Sequence, residues 1–168
     1  MATLKARLVE ARDIAPEVRH FVFDVPEVEQ LPYLPGQFVS FSRDFNGKKI
    51  TRAYSTASPC NENRFELCLN RVEDGLFSPH LFAMRPGDTV DVKGPLGYFT
   101  WKFPVNDSIL VATGTELRPF AACCSPISLG WERTASLVYG VRYESSLLYF
   151  DEFQQMAVQH PNFYSSPH

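Results

Sequence analysis

Hydrophobic and polar positions alternate through most of the first hundred residues, which is the pattern of half-buried β-strands. The dipeptide Asn46-Gly47 is a strong hairpin signal and places 50–56 antiparallel to 39–43. A turn is expected at 13–16, between the first two strands. Six strands separated by short turns predict a small closed antiparallel barrel. The predicted strands cover 4–11, 18–25, 37–41, 50–56, 65–72 and 90–92.

A short helix interrupts the strand pattern at 79–83. Ser78 is the residue type that caps a helix N-terminus, and Pro79 suits the first turn. We therefore expect Ser78 at the N-cap of this helix.

The pattern of hydrophobic and polar positions changes after Pro104. Short apolar runs at 108–112 and 136–141 are typical of buried parallel strands, and a helical pattern covers 147–158. A third strand is expected to begin at 162–164, which gives βαβαβ order. One βαβ unit takes about 30 residues, so the stretch 104–168 predicts an α/β domain that is cut short.

Composition narrows the class of protein. Apolar residues make up 45% of the chain and aromatic residues 14%, which is ample for a core and argues against disorder. The net charge of -3 provides no electrostatic basis for binding nucleic acid or an anionic membrane. The sequence shows neither a membrane-spanning apolar run nor a secretory leader pattern, and predicts a soluble, cytoplasmic protein.

Candidate metal and nucleophile patterns are sparse. The four cysteines form no C-x-x-C pair, no spacing matches a zinc or iron–sulfur site, and free thiols are expected. The four histidines are scattered, and surface or packing roles are expected for them. Neither a Ser-His-Asp nor a paired-carboxylate arrangement stands out. The four cysteines are Cys60, Cys68, Cys123 and Cys124.

The richest chemistry lies in the eight residues 52–59, which hold a cation, a phenol and three hydroxyls. Strand alternation would place Arg52, Tyr54 and Thr56 on one face, and Ala53 and Ser55 on the other. A guanidinium beside an aromatic ring suits a ligand with a phosphate at one end and a flat ring at the other. An edge strand with a solvated arginine explains the same residues equally well.

This Arg-x-Tyr-Ser segment, following a Gly-Gln-Phe strand, resembles the FAD-binding signature of the ferredoxin–NADP reductase superfamily. Further segments resemble the superfamily in the same order at 74–79, 85–88, 94–99 and 112–115, and the resemblance runs from about 4 to 164. It implies a six-stranded antiparallel Greek-key FAD-binding barrel over 1–103. An incomplete Rossmann-like parallel α/β domain for NADP would follow over 104–168.

The resemblance also assigns roles around the flavin. Arg52 would hold the FAD pyrophosphate, Tyr54 would stack on the isoalloxazine, and Ser55 would hydrogen-bond flavin N5. Tyr54 and Ser55 are thus the expected catalytic residues, with Ala53 between Arg52 and Tyr54 in the cofactor-binding segment. The backbone of Leu69, Asn70 and Arg71 would line the flavin, although an ordinary strand would read the same way.

The remaining roles concern the phosphates and the nicotinamide nucleotide. The helix start at Leu76, Phe77 and Ser78 would receive the FAD diphosphate, although any capped helix offers similar N–H groups. Thr115 would lie beside the flavin at the domain junction. Val141 and Arg142 would lie near the 2′-phosphate of NADP, and Arg142 could equally be solvated.

The activity implied by the resemblance is hydride transfer between NADP(H) and FAD, with electrons passed to or from a ferredoxin or flavodoxin-like carrier. The cofactors carry such chemistry, and the protein supplies geometry and electrostatics. Since the cysteines match no cluster-binding pattern, any iron–sulfur partner would be a separate molecule. Two alternatives stay open: a flavin-binding barrel without nicotinamide turnover, and an inactive fragment whose sheet a partner subunit completes.

The sequence departs from the superfamily pattern directly after Thr115. Glu116 stands where the superfamily has a glycine against the nicotinamide cofactor, and Pro126 would interrupt the next helix. Codons for 116–129 exist whose shifted frame, with one added base, encodes Gly-Ile-Ala-Pro-Phe-Arg-Ser-Met-Leu-Gln-Ser-His-Leu-Ser. A similar shift brings 164–168 close to the superfamily's third strand. We hypothesise frameshifts at both places, genuine or from sequencing, with poor NADP binding if the sequence is as printed.

Overall fold

The computed structural model describes residues 2–117, 133–141, 143 and 147–167. Its first half is a six-stranded antiparallel sheet in the order β4-β3-β6-β1-β2-β5. The outer strands β4 and β5 meet where the Ala57 N–H donates to the Glu66 carbonyl at 2.7 Å, so the sheet closes into the expected barrel. The elements are β1 Leu4–Ala15, β2 Val18–Asp24, β3 Phe38–Phe45, β4 Lys48–Ser55, β5 Arg64–Asn70, α1 Phe77–Ala83 and β6 Thr89–Leu96.

The hairpin between β3 and β4 forms at the predicted dipeptide. Asn46 and Gly47 have φ of 54° and 80°, the left-handed values that a two-residue hairpin turn requires. The Gly47 N–H donates to the Asp44 side chain at 2.7 Å. Phe45 pairs with Lys48, and this register carries through to Phe38 and Ser55.

Aromatic side chains fill the barrel. Phe23 packs against Phe41 and Phe65 with ring centroids 5.2 and 5.5 Å away, and all three side chains are fully buried. Helix α1 adds Phe77 and Leu81 to this core. The alternation that predicts the strands therefore also predicts which side chains point inward.

The second half is a parallel sheet of three described strands in the order β7-β8-β9, as expected for an incomplete α/β domain. Its core holds Leu137, Tyr139 and Phe153, and Val18 and Cys68 of the barrel pack against the same cluster. The barrel and the parallel sheet therefore share an apolar boundary. The elements are β7 Ser108–Thr113, a 3₁₀ turn Gly114–Glu116, β8 Ala135–Gly140, α2 Phe150–Gln159 and β9 Phe163–Pro167.

Three local predictions were wrong. Strand β1 extends through Ala15, which shortens the predicted turn at 13–16 to Pro16 and Glu17, with φ +56° at Glu17. Helix α1 begins at Phe77 with Leu76 at its N-cap, so Ser78 lies inside the helix. Helix α2 begins at Phe150 because Tyr149 has a left-handed backbone, with φ +55°, that cannot continue a helix toward 147.

Several sequence predictions fall on residues outside those that the structure describes. They are the cofactor-binding role of Arg142, the free thiols of Cys123 and Cys124, and the interrupted helix around Pro126. Within the described ranges, Cys60 and Cys68 are free thiols, as predicted.

Candidate functional site

Arg52 and Tyr54 lie on one face of β4, as strand alternation predicts. Their cross-strand partners on β3 are Phe41 and Val39, both fully buried, so this face of β4 is continuous with the barrel interior. The Tyr54 ring is half-buried, with its centroid 5.7 Å from that of Phe41 and 6.3 Å from that of Phe77. The Arg-x-Tyr-Ser strand and the start of helix α1 are therefore adjacent at the rim of the barrel.

The electrostatics of this rim differ between its two ends. Burial raises the pKa of Tyr54 to about 12, against the opposing influence of the Arg52 cation. The Arg52 side chain is exposed, and its Nη1 donates to the Thr51 carbonyl at 2.8 Å. Among the described residues no carboxylate forms an ion pair with Arg52. The rim thus presents a cation to an incoming anion beside a neutral aromatic surface.

Ser55 ends strand β4 and is exposed, as is Ala53. The next residue, Thr56, is fully buried, and both its N–H and its hydroxyl donate to the Gln37 carbonyl at 2.9 Å. Thr56 therefore anchors the chain where it leaves the strand. This anchor fixes the position of the Ser55 backbone at the strand end.

The loop before α1 and the start of this helix differ from the prediction in the role of Ser78. The Ser78 hydroxyl is buried and accepts a hydrogen bond from the Val72 N–H at 2.9 Å, so it holds the loop at 72–75 and does not cap the helix. A Cβ on Gly75 would lie 3.0 Å from the Val72 carbonyl oxygen, so this tight loop favours glycine. Phe77 is buried and Leu76 is exposed.

A cleft of about 780 Å³ separates the barrel from the parallel sheet. It lies at the carboxyl ends of β7 and β8, the position at which open α/β sheets bind ligands. Asn70 and Arg71, at the end of β5, form its barrel side together with the β1–β2 turn. The lining residues are Pro16, Glu17, Val18, Asn70, Arg71, Thr113, Gly114, Gly140, Val141, Tyr143 and Leu148.

Two glycines keep this cleft open. Gly114 has φ +57°, and among the described residues a Cβ there would have no neighbour within 4 Å. A Cβ on Gly140 would touch the Thr113 methyl group at 3.5 Å and no other atom of the part of the chain that the structure describes. Since a side chain at either position would project into unfilled space, the two strand ends allow a ligand to approach the backbone closely.

The structure sorts the predicted site residues into two groups, one at the barrel rim around β4 and α1 and one at the cleft. The rim holds Arg52, Ala53, Tyr54 and Ser55, with Leu76, Phe77 and Ser78 across from them. The cleft holds Asn70, Arg71 and Val141; Leu69 is buried beside them, and half-buried Thr115 lies in the 3₁₀ turn that follows β7.

Of the eleven lining residues, sequence reasoning assigned a site role to Asn70, Arg71 and Val141 and missed the other eight. Pro16 and Glu17 are distant from Asn70 in sequence and lie near it only in the folded chain. There the Arg71 N–H donates to the Glu17 carbonyl at 2.8 Å. Tyr143 and Leu148 follow the end of β8, and that position alone could have marked them as candidates.

These residues fit a flavin dinucleotide. The guanidinium of Arg52 offers a fork of donors for phosphate oxygens, and Tyr54, packed against the buried Phe77, offers an aromatic surface one strand repeat away. The glycine-lined ends of β7 and β8 leave open space in the cleft. The guanidinium and the aromatic ring together therefore suit a ligand that carries phosphates between a flat ring and a sugar.

Comparison with known proteins gives the class. Residues 5–101 match the family described as the oxidoreductase FAD-binding domain, so the chain belongs to that family. Within this class it falls in the ferredoxin–NADP reductase superfamily. Ferredoxin–NADP reductase B of Sorangium cellulosum is 34% identical over 157 residues, which cover 91% of this chain and 64% of the relative.

Two further proteins are similar. NADH-cytochrome b5 reductase 1 of Laccaria bicolor is 36% identical over 115 residues, covering 67% of this chain and 37% of the relative. The crystal structure of the Amycolatopsis cytochrome P450 reductase GcoB has a TM-score of 0.87 and 29% identity, covering 99% of this chain and 51% of that one. The chain thus spans between about a third and two thirds of the length of these proteins.

The described part of the chain contains no helix with the length and hydropathy needed to cross a lipid bilayer.

Proposed function

We propose that this chain is a flavoprotein oxidoreductase that holds FAD at the barrel rim and exchanges hydride with NADP(H) in the adjacent cleft. The observation that carries the proposal is the placement of Arg52 and Tyr54 on one face, with the Tyr54 ring 6.3 Å from Phe77 at the start of α1. Bound FAD supplies the hydride and single-electron chemistry, and the protein supplies binding, orientation and exclusion of water.

The rim residues have distinct proposed roles. Arg52 pairs with the diphosphate, Tyr54 presents its ring face to the isoalloxazine, and the Ser55 hydroxyl offers a hydrogen bond at N5. Ala53 and the backbone of Leu69, Asn70 and Arg71 border the ring system. The backbone at Leu76, Phe77 and Ser78 borders the diphosphate. Two supports for this assignment are the exposed guanidinium, which has no carboxylate partner among the described residues, and the partly buried, neutral phenol.

The nicotinamide nucleotide belongs in the cleft. Val141 and Arg142 are its proposed contacts on the α/β side, and Thr115 is proposed to lie beside the flavin at the domain junction. The proposed boundary between the two domains falls between residues 103 and 104. Support comes from the position of the cleft at the ends of β7 and β8, and from the open space at Gly114 and Gly140.

We propose NADP(H) as the nucleotide and a ferredoxin or flavodoxin-like protein as the electron carrier, in the cytoplasm. The Sorangium relative is a ferredoxin–NADP reductase, which supports this choice, and the Laccaria relative is an NADH-cytochrome b5 reductase, which names the competing pair. Both relatives are longer than this chain, and their names give different nucleotides. The test therefore compares NADPH and NADH directly on this chain.

The test is a visible spectrum of the purified, FAD-reconstituted chain before and after anaerobic addition of NADPH or NADH. Oxidised flavin bands that NADPH bleaches faster than NADH support the proposal, and faster bleaching by NADH reverses the nucleotide assignment. A chain that stays colourless after incubation with FAD contradicts it altogether.

A second candidate is a flavin-binding barrel without nicotinamide turnover. The observation that favours it is Glu116, which stands where the superfamily pattern has a glycine against the cofactor. Flavin bands that neither nucleotide bleaches, but that dithionite does, would select this candidate.

A further inference from the structure

His20 forms a polar connection between the barrel and the α/β half. The histidine is 3% exposed on β2, where its neighbour Phe21 points into the barrel core. Its Nδ1 lies 2.9 Å from the Tyr149 hydroxyl, and its Nε2 lies 3.3 Å from a carboxylate oxygen of Glu66 on β5. The His20 and Tyr149 rings meet edge to face, with centroids 6.1 Å apart. We refer to Glu66, His20 and Tyr149 as the polar triad.

The partners determine the direction of the hydrogen bonds in the triad. A carboxylate oxygen can only accept, so His20 donates to Glu66 from Nε2. In a neutral imidazole the other nitrogen is then an acceptor, so the Tyr149 hydroxyl donates to Nδ1. When His20 is neutral, the triad therefore needs one particular tautomer, with its hydrogen on Nε2.

Tyr149 is well placed to transmit this contact to the cleft. It precedes helix α2 with a left-handed backbone, and its carbonyl accepts the Phe153 N–H at 3.1 Å in the first turn. The residue before it, Leu148, is 3% exposed and lines the 780 Å³ cleft. A shift of Tyr149 would therefore move both the start of α2 and the Leu148 wall of the cleft.

The surroundings of the triad are mostly apolar. Ile14, Val18 and Cys68 of the barrel pack against the same cluster as Leu148 and Phe153. Apolar contacts are non-directional, so they hold the two halves together without fixing the rotation of one against the other. A buried, directional hydrogen-bond network is the feature that can fix this rotation.

We propose that His20 is a positioning residue, which holds Tyr149 and thereby sets the Leu148 wall of the nicotinamide cleft. The cleft's ligand rests on the function proposed above, whereas the positioning of α2 is independent of any ligand. Loss of the Tyr149 contact should loosen the start of α2 and weaken nucleotide binding, and FAD affinity should stay unchanged.

A matched pair of substitutions separates the two contacts of His20. The Oδ1 of the asparagine in His20→Asn occupies the position of Nδ1 and can accept from Tyr149. The Nε2 of the glutamine in His20→Gln occupies the position of the histidine Nε2 and can donate to Glu66. Tyr149→Phe removes the hydroxyl and keeps the ring.

The first measurement is amide hydrogen exchange of the FAD-loaded chain without nucleotide. We expect exchange at the start of α2 to accelerate about tenfold in Tyr149→Phe and His20→Gln, with His20→Asn close to the original chain and β3 amides unchanged. The second is nitrogen-15 NMR of His20 in the unaltered chain, where we expect the Nε2–H tautomer. Equal exchange in His20→Asn and His20→Gln, or an Nδ1–H tautomer, would overturn the proposal.

The third measurement is the dissociation constant of NADPH, for which we expect an increase of about tenfold in Tyr149→Phe and His20→Gln but not in His20→Asn. If the unaltered chain binds no nucleotide, the proposed function fails while exchange and NMR still decide the role of His20. If a variant loses FAD and unfolds, the tautomer in the unaltered chain remains decisive.

Discussion

The ring of Tyr54 lies 6.3 Å from the ring of Phe77, which brings the end of strand β4 to the first turn of helix α1. This contact joins the two sequence segments that the superfamily resemblance assigns to one flavin dinucleotide, the first to its ring and diphosphate and the second to its diphosphate. Had the two segments been on different sides of the barrel wall, no single ligand could have reached both. Their adjacency is therefore the structural basis of the proposed function.

The partly buried phenol of Tyr54 makes stability depend on pH under alkaline conditions. Burial raises its pKa from 10.0 to about 12, so between these values the unfolded chain loses a proton that the folded chain keeps. The free energy of unfolding therefore falls as pH rises from about 10 to 12. Tyr54→Phe should make this fall shallower without abolishing it, because burial also raises the pKa of Tyr33.

Urea denaturation of the flavin-free protein at pH 8, 10 and 11 measures this effect. Tyr98→Phe is the matched control, since the Tyr98 side chain is 97% exposed, and it should leave the slope as it is. A slope that changes equally in both variants would contradict the role given to the burial of Tyr54.

Gly36 should be far less replaceable than Gly87, although both have a left-handed backbone, with φ of 92° and 97°. A Cβ on Gly36 would lie 1.9 Å from the Phe99 carbonyl oxygen, whereas one on Gly87 would have no neighbour within 4 Å. Gly87→Ala should cost about 1–2 kcal/mol from backbone strain alone. Gly36→Ala should cost a further 1–3 kcal/mol, roughly, from the clash.

The difference between these two variants in the free energy of unfolding isolates the clash from the strain. Equal losses would mean that the segment around Phe99 moves freely and does not hold the loop at Gly36.

Gly140 offers a way to fill the nicotinamide cleft without disturbing the fold. A Cβ there would make only an ordinary contact with Thr113, at 3.5 Å, so Gly140→Ala should leave the melting temperature within a few degrees. Because the added group projects into the cleft, we expect weaker NADPH binding with FAD affinity unchanged. Isothermal titration of both ligands checks this, and unchanged NADPH affinity in a folded Gly140→Val variant would place the nucleotide elsewhere.

The segment 116–129 provides a test of the frameshift hypothesis at the level of the protein. Replacing it with Gly-Ile-Ala-Pro-Phe-Arg-Ser-Met-Leu-Gln-Ser-His-Leu-Ser restores the superfamily pattern after Thr115. This variant should bind NADPH more tightly than the original chain, because a glycine lets the cofactor's phosphates approach the backbone. Glu116→Gly alone should recover part of the gain. Sequencing the gene supplies the companion result, and no gain in either variant would contradict the hypothesis.

The sequence was sufficient to predict the barrel, because strand alternation and the Asn46-Gly47 turn are local signals with a direct structural meaning. The sequence was also sufficient to predict that Arg52 and Tyr54 lie on the same face of β4. The role of Ser78 could not be predicted, because a serine before a helix caps or holds a loop depending on where the loop at 72–75 runs. The triad of His20 was equally hidden, since its partner Tyr149 lies on a distant part of the chain.

The most direct test of the central claim is the affinity of FAD and of riboflavin for the original chain and for Arg52→Ala, measured by flavin fluorescence. Removing a charge-assisted contact to the diphosphate should weaken FAD binding by about 1.5–3 kcal/mol. Riboflavin, which has the ring but no phosphate, should bind both proteins equally. Lys49→Ala, on the opposite face of β4, should change neither affinity. Equal weakening of FAD and riboflavin, or no effect on FAD, would contradict the account.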